Sequence, residues 1–151
     1  MRRTSLSDAE CPVARSLDAI GDWWSLLIVR DAFDGPRRFG ELQKSLGVAK
    51  NILAARLRTL LAHDILELVP ASDGSAYQEY ALTEKGRGLF HVVVGLRQWG
   101  EDYFFGPGEQ HSVMVDKKTG RRVRRLELRA LDGRVLGPND AVVKKRTGAV
   151  R

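Results

Sequence analysis

Residues 39–67 contain two short amphipathic segments separated by a turn, and this arrangement constrains the fold more than any other part of the chain. In the first segment Phe39, Leu42 and Leu46 recur at helical spacing, and Gly47 then interrupts the helix. The second segment carries a new apolar stripe, which consists of Ile52, Leu53, Leu57, Leu60 and Leu61. Two amphipathic helices joined by so short a turn predict a helix-turn-helix.

The opposite face of the second helix is small and polar at its start and basic further along. Such a helix can enter a DNA major groove by its N-terminal end, where its arginines reach base edges or phosphates. A solvated face on a helical bundle is the alternative. The residues predicted to contact DNA are Lys50, Asn51, Ala54, Ala55, Arg56 and Arg58, together with Arg37 and Arg38 at the entrance of the motif. For the last two, exposed loop charges are the alternative.

The segment after the second helix is typical of a β-hairpin. Residues 66–69 and 77–82 have strand-like sequences, and the turn-forming stretch Ser72–Ser75 separates them. A helix-turn-helix followed by a hairpin predicts a winged helix. Between Pro70 and Tyr77 there is no Lys or Arg, so the sequence provides the wing with no cation for a DNA minor groove.

Two further helices are predicted before the motif. The first begins near Pro12, a residue suited to the first helical position. Asp22 caps the second, which runs from Trp23 to Phe33 and is apolar enough to be the central core element. The buried stripe predicted for the first helix consists of Val13, Leu17 and Ile20.

A long helix is predicted from Glu84 to about Phe105, with Thr83 as its N-cap. Its apolar stripe is too large for the core of a small winged helix, so a second copy of the chain is the economical partner. We therefore expect a homodimer. The residues predicted to form its interface are Leu89, Val92, Val93, Leu96, Trp99 and Tyr103.

The charge of the chain is concentrated near its C-terminus. The formal net charge is +6, yet residues 111–151 alone carry 12 Lys or Arg against 4 Asp or Glu. Alternating apolar residues and the Asp132-Gly133 turn predict a small antiparallel β-extension over residues 112–146. We expect this extension to attract polyanions, with a solvated charged hairpin as the alternative.

These patterns predict an α+β fold, mainly α, in two domains. Residues 11–105 should form the winged helix DNA-binding and dimerisation domain, and residues 106–151 the basic extension. No apolar run approaches the roughly 20 residues of a membrane span, and no signal-peptide pattern is present, so we expect a cytoplasmic protein.

Enzymatic and metal-dependent functions find little support. The single Cys11 excludes an internal disulfide, and with three scattered His it offers no metal-ligand spacing. A thiol enzyme would need Cys11 beside a His and an orienting carboxylate, and no such constellation is apparent. We therefore expect no catalytic residue, no metal and no cofactor.

Residues 11–105 resemble the HxlR-type winged helix transcriptional regulators. The resemblance rests on Cys11–Val13, Gly21–Ile28, Arg38–Leu42, Ala55–Arg58 and Tyr80–Gly86. It implies a homodimeric bacterial or archaeal regulator, related in architecture to MarR-type proteins, on a pseudo-palindromic operator. Its half-sites should lie about one helical turn, ~34–36 Å, apart. The extension resembles one that some members carry with cysteine pairs, which are absent here.

Two features depart from what this resemblance implies. Ala49 stands where the family often has Ser or Thr, so the second helix of the motif should lack a side-chain N-cap worth about 1 kcal/mol. The wing lacks the cations that would insert it into a minor groove, and basic residues of the extension could substitute for them.

An effector could act on this chain through its thiol or through its aromatic residues. Several HxlR-type regulators sense quinones or oxidants through a cysteine at the position of Cys11, where a helix N-terminus favours the thiolate. Packing of Cys11 as a small apolar residue is the alternative. A small-molecule effector could instead bind among Trp23, Trp24, Trp99, Tyr103 and Phe104, whose spacing equally fits core packing. A non-specific DNA-binding or protein-docking module is the remaining alternative function.

Overall fold

The computed structural model describes residues 4–145, and this part of the chain contains six helices and four short strands. They are α1 (Pro12–Ile20), α2 (Trp23–Ala32), α3 (Phe39–Leu46), α4 (Lys50–Ala62), β1 (Leu66–Pro70), β2 (Gln78–Leu82), α5 (Glu84–Arg87), α6 (Phe90–Tyr103), β3 (Leu128–Arg129) and β4 (Val135–Leu136). This order confirms the mainly helical winged helix. The chain forms two compact units, one ending at Val93 and the other beginning at Val94, inside α6. The expected division into domains 11–105 and 106–151 stays a prediction.

The first unit is built around α2. Ile28 and Val29 on this helix are completely buried, which confirms α2 as the central core element. The residues of α3, α4 and β1 that are buried with them are Leu42, Leu53, Leu57, Leu60 and Leu66. The helix-turn-helix is therefore fixed to the core by the apolar stripes that its sequence predicts.

Local capping explains where these helices begin and end. The Asp22 side chain accepts the backbone N–H of Ser25 at 2.9 Å and thereby caps α2. Gly47 adopts a left-handed conformation, φ 64°, that ends α3, and its N–H donates to the carbonyl of Gln43. Ala49 is the N-cap of α4 and makes no side-chain cap, as expected from its methyl group.

The wing is a two-stranded antiparallel sheet with an additional backbone bridge. Leu66 pairs with Leu82 and Leu68 with Tyr80. Arg37, just before α3, exchanges two backbone hydrogen bonds with Tyr80, at 3.0 and 2.7 Å. The entrance of the helix-turn-helix is therefore joined to β2, a connection that the sequence does not reveal.

The buried stripe predicted for α1 was wrong. Val13 is 65% exposed and Leu17 is 49% exposed, and Ile20 alone of the three is buried. The last turn of α1 reaches the core, whereas the apolar side chains of its first two turns lie at the surface of the chain. An exposed apolar face on a short helix is typical of a surface that contacts another molecule.

The prediction of one continuous helix from Glu84 was also wrong. The segment forms two helices, because α5 ends at Arg87 and α6 begins at Phe90. The Thr83 hydroxyl accepts the N–H of Gly86, and the N–H of Thr83 donates to the carbonyl of Ile65. A Cβ on Gly86 would lie 2.1 Å from that carbonyl oxygen. This close approach fixes α5 against the residue that precedes β1, and the chain then continues into α6 as a separate helix.

The second unit contains the rest of α6 and the extension. In the described part of the extension the regular strands are β3 and β4, where Leu128 pairs with Leu136 and Arg129 with Val135. One isolated bridge joins Val115 to Arg122. The Asp132-Gly133 hairpin is confirmed, but the predicted sheet over residues 112–146 was too extensive, and its last residue lies outside the described range.

Gln98 attaches the extension to α6. Its side chain is 8% exposed. The side-chain nitrogen donates to the carbonyl of Arg124 at 3.1 Å, and the side-chain oxygen accepts the N–H of Leu126 at 2.8 Å. An ion pair between Arg125 and Asp102 lies beside this contact. Hydrogen bonds between the Gln98 side chain and the backbone of the extension thus hold the extension on α6, and its own two short strands contribute less.

Candidate nucleic-acid interface

The outward face of α4 carries most of the residues predicted to contact DNA. Lys50, Asn51 and Arg58 are exposed, and Ala54 and Ala55 are half-buried. On the inward face Leu53, Leu57 and Leu60 are buried. Because residues three or four apart share one face of a helix, the structure brings Asn51, Ala55 and Arg58 together on one surface with small residues between the longer side chains.

Arg56 lies differently from the other residues of this group. Its Nε atom is 3.4 Å from the carboxylate of Asp22, and this nitrogen is buried and without a hydrogen-bond partner among the described residues. Asp22 is itself largely buried and caps α2. The guanidinium of Arg56 therefore joins α4 to the start of α2, which is a structural contact.

Arg37 lies at the entrance of the motif, as predicted. Its backbone pairs with Tyr80, and its guanidinium is 3.9 Å from the exposed carboxylate of Asp34. An exposed ion pair of this length contributes little to stability. The side chain of Arg37 is consequently available to a phosphate at small cost.

Arg38 contacts the wing. Its guanidinium forms an ion pair with Asp73, donates to the hydroxyl of Ser75 at 3.2 Å and lies 4.9 Å from the ring centroid of Tyr77. The four side chains of Arg38, Asp73, Ser75 and Tyr77 are called the wing clamp below. Sequence reasoning missed this cluster. The one available signal was that Asp73 is the only charged residue between Pro70 and Tyr77.

Hydrogen bonds in the wing clamp favour the ionised form of Asp73. Hydrogen bonds from the backbone and hydroxyl groups of Ser75, and then from Arg38, lower the pKa of Asp73 to about 2. The tip of the wing therefore presents a carboxylate whose charge is matched by a single guanidinium.

The apolar residues predicted for dimerisation divide into two groups. Leu89 and Val93 pack against the core of the first unit. Val92, Leu96, Trp99 and Tyr103 are exposed, with Leu96 at 50% and Tyr103 at 72%. The Trp99 ring also contacts the ring of Tyr103 in a tilted arrangement and that of Phe104 edge to face, at centroid distances of 5.9 and 5.1 Å. One side of α6 therefore presents large apolar side chains that residues 4–145 leave exposed.

Cys11 is exposed and is the N-cap residue of α1. Arg15, one turn later, donates from Nε to the carbonyl of Ala9 at 2.5 Å. Among residues 4–145 no cluster of three or more His, Cys, Asp or Glu could hold a metal ion. Within the same range no helix has the length and apolar character of a membrane span.

A sequence profile of the HxlR-like helix-turn-helix family matches residues 19–106. The chain belongs to the HxlR-like helix-turn-helix family. This family consists of DNA-binding transcriptional regulators and not of enzymes. The helix-turn-helix of this chain thus lies within the part that matches the HxlR-like family.

Known relatives agree with this assignment. The regulator Rv3095 of Mycobacterium tuberculosis, named an uncharacterised HTH-type transcriptional regulator, is 45% identical over 63% of this chain and 60% of its own length. This HxlR-type chain therefore matches about 60% of the length of that mycobacterial relative. YodB of Bacillus subtilis, an HTH-type transcriptional regulator, is 31% identical over 69% of this chain and 94% of its own length.

Two similar solved structures differ in how much of the extension they match. PA1607, described as a candidate transcription factor, is 59% identical with a TM-score of 0.88 and covers 95% of this HxlR-type chain and 100% of its own. The redox regulator HypR in its reduced form is 32% identical with a TM-score of 0.56, and covers 61% of this chain and 92% of its own. The first structure thus includes a counterpart of most of the extension, whereas the second aligns with a shorter part of the chain.

Proposed function

We propose that the chain is a homodimeric, sequence-specific transcriptional regulator that inserts α4 into the DNA major groove. The observation that carries this proposal is the outward face of α4, where Asn51, Ala55 and Arg58 stand opposite buried leucines on a winged helix scaffold. Small residues allow the helix to approach base edges closely, and the flanking cations neutralise phosphates.

The residues of this face and the neighbouring Arg37 have three proposed roles. Lys50, Asn51, Ala54 and Ala55 belong to the first half of α4, which in a helix-turn-helix is the part that meets base edges. Arg37 and Arg58 position the protein on phosphates or read guanine. Arg56 acts indirectly, because its contact with Asp22 fixes the orientation of α4.

The exposed apolar side of α6 supports a homodimer. Val92, Leu96, Trp99 and Tyr103 expose apolar area that water solvates poorly. In a two-fold dimer each chain buries this side of α6 against the same side of α6 in its partner, which is an isologous interface. A two-fold dimer also presents two copies of α4 to two half-sites, which a pseudo-palindromic operator requires.

A footprint tests this function. The full chain is incubated with the DNA upstream of its own reading frame and with a scrambled fragment of equal length, at one stated salt concentration. We expect protection of one palindromic site and an affinity for that site at least about 1,000-fold above the scrambled fragment. Equal coating of both fragments would contradict sequence-specific regulation and favour the non-specific module.

Thiol sensing by Cys11 is a second candidate function. It is favoured by the exposure of Cys11 at the start of α1 and by the similarity to the redox regulator HypR. Oxidation by diamide should form a disulfide between the Cys11 thiols of two chains, with diamide reduced to its hydrazine, and should abolish operator binding. If Cys11→Ser loses operator binding in diamide as the unmodified chain does, sensing by this thiol is excluded.

A further inference from the structure

The wing of this protein differs from a wing that binds DNA by its own cations. Residues 71–77 between the strands contain one charged side chain, the carboxylate of Asp73. An acidic group on a wing that approaches DNA repels phosphates. The wing must either stay away from the DNA or have this charge neutralised.

The wing tip is also held by few apolar contacts. In the loop, Ala71 is buried, whereas Ser72, Asp73, Ser75 and Tyr77 are exposed. Tyr77 borders an open, mostly apolar recess of about 510 Å³ beside the first turn of α3. Because no large side chain of the loop enters the core, polar contacts determine where the tip lies.

Within the hairpin, the N–H of Ser72 donates to the buried carboxylate of Glu79 at 2.6 Å. The wing clamp adds the contacts that reach outside the hairpin, and they come from one residue. The guanidinium of Arg38 reaches both Asp73 and Ser75 and covers the ring of Tyr77. Within the loop, the N–H of Ser75 donates to the Asp73 carboxylate at 2.9 Å. The backbone N–H of Arg38 is itself fixed by the carboxylate of Glu41 at 3.0 Å. The clamp therefore connects the wing tip to the N-terminal end of α3.

We propose that Arg38 is a positioning residue for DNA binding, which acts by neutralising Asp73 and fixing the wing rather than by contacting a phosphate. The inference rests on the proposed DNA-binding function and assigns one of its residues a different role. A preset, neutral wing reduces the ordering cost of binding, since a loop that is fixed before binding loses less conformational freedom in the complex.

A double-mutant cycle on the operator duplex defined by the footprint tests the role. Arg38→Ala, Asp73→Asn and the double variant are compared with the unmodified chain at several salt concentrations. We expect Arg38→Ala to weaken binding about tenfold in the unmodified background and about twofold or less in the Asp73→Asn background, because the two side chains act together. Arg38→Lys keeps the positive charge but lacks the planar guanidinium that can donate to two partners. Its operator affinity should therefore lie between those of Arg38→Ala and the unmodified chain.

The salt dependence separates this role from a direct phosphate contact. If Arg38 contacted a phosphate directly, its loss in Arg38→Ala would flatten the plot of log K against log salt by about 0.9 per protomer in either background. Arg37→Ala, one residue earlier and outside the wing clamp, is the matched variant that should show this flattening. An equal loss for Arg38→Ala in both backgrounds, together with that flattening, would overturn the proposal.

A second measurement does not need DNA. In the free protein, NMR should show a higher pKa for Asp73 and faster exchange of the Ser75 amide in Arg38→Ala than in the unmodified chain, because the hydrogen bonds and the charge of Arg38 are lost. Unchanged values for both would refute the wing clamp itself. If the clamp is present but no operator is protected, the proposed function fails, and the role of Arg38 in DNA binding falls with it.

Discussion

The Nε atom of Arg56 in α4 lies 3.4 Å from the carboxylate of Asp22 at the start of α2. The same carboxylate accepts the N–H and the hydroxyl of Ser25, at 2.9 and 2.6 Å. One aspartate therefore caps the central helix and fixes the helix proposed to enter the DNA groove.

Replacement of Asp22 should separate these two contributions. Asp22→Ala removes the cap and leaves the Arg56 guanidinium and the Ser25 hydroxyl without their partner, so the free energy of unfolding should fall by about 1–3 kcal/mol. Asp22→Asn retains a capping oxygen and loses the charge, at a cost of about 1 kcal/mol or less because Arg56 is partly exposed. Urea denaturation measures both free energies of unfolding. If Asp22→Asn were as destabilising as Asp22→Ala, the charge of Asp22 would contribute more to stability than its cap.

Gly86→Ala should destabilise the first unit. Its Cβ would lie 2.1 Å from the backbone oxygen of Ile65, so α5 must move away from β1, at about 1–3 kcal/mol. Gly40→Ala is the matched control in α3, since a Cβ on Gly40 would meet nothing within 4 Å. This variant should leave the midpoint of thermal unfolding unchanged or raise it, because alanine favours helix. Similar midpoints for the two variants would contradict the close approach.

The outward face of α4 should divide into base and phosphate contacts. Arg58→Ala should weaken binding to operator and scrambled DNA alike and flatten the salt dependence by about 0.9 per protomer. Asn51→Ala should instead reduce discrimination between the two DNAs by about 1–3 kcal/mol and leave the salt slope unchanged. Fluorescence anisotropy titrations at several salt concentrations measure both quantities. A loss of discrimination in Arg58→Ala without a change of slope would reverse the two roles.

Leu96→Glu should disrupt the proposed dimer. This residue is 50% exposed in the single chain, and a carboxylate placed in an apolar interface must be desolvated without a partner. Analytical ultracentrifugation should show mainly monomers for this variant. Leu131→Glu is the control, because Leu131 is fully exposed in the turn between β3 and β4. A dimer that persists in Leu96→Glu with an unchanged dissociation constant would exclude this side of α6 as the interface.

The extension should contribute attraction without specificity. Lys117 and Lys118 are exposed in a turn that Asp116 stabilises, its carboxylate accepting the N–H of Lys118 at 2.8 Å. The double replacement of both lysines by Glu should weaken binding to operator and scrambled DNA by the same factor, because the long-range field does not distinguish sequences. The ratio of the two affinities is the measurement. A changed ratio would show that the extension reads the site.

The helices and the wing were predictable because each has a local signal. Apolar spacing identified α2, α3 and α4, and Asp22, Gly47 and Thr83 marked boundaries that the structure retains. These signals lie in the sequence itself, since caps and periodicity depend on neighbours within one or two turns. The break between α5 and α6 was missed because the decisive contact, between Gly86 and Ile65, joins residues far apart in the chain.

The candidate site was predictable only in part for the same reason. The sequence shows that Arg37, Arg38, Arg56 and Arg58 are cations near a recognition helix, but a side chain's partner depends on the tertiary fold. Arg56 meets Asp22 and Arg38 meets Asp73, more than thirty positions away in each case. Side-chain length and charge therefore predict the group, and the fold separates Arg37 and Arg58 from Arg38 and Arg56, which contact other elements.

Gln98 pairs with the backbone of Arg124 and Leu126 as a neighbouring strand would, and its amide carries no charge. Dissolved ions weaken the attraction of lysines and arginines to phosphates, but they leave this neutral, largely buried contact intact. A rise in salt should therefore weaken the expected attraction of the extension for polyanions and screen the ion pair between Arg125 and Asp102, while the Gln98 contact keeps the extension on α6.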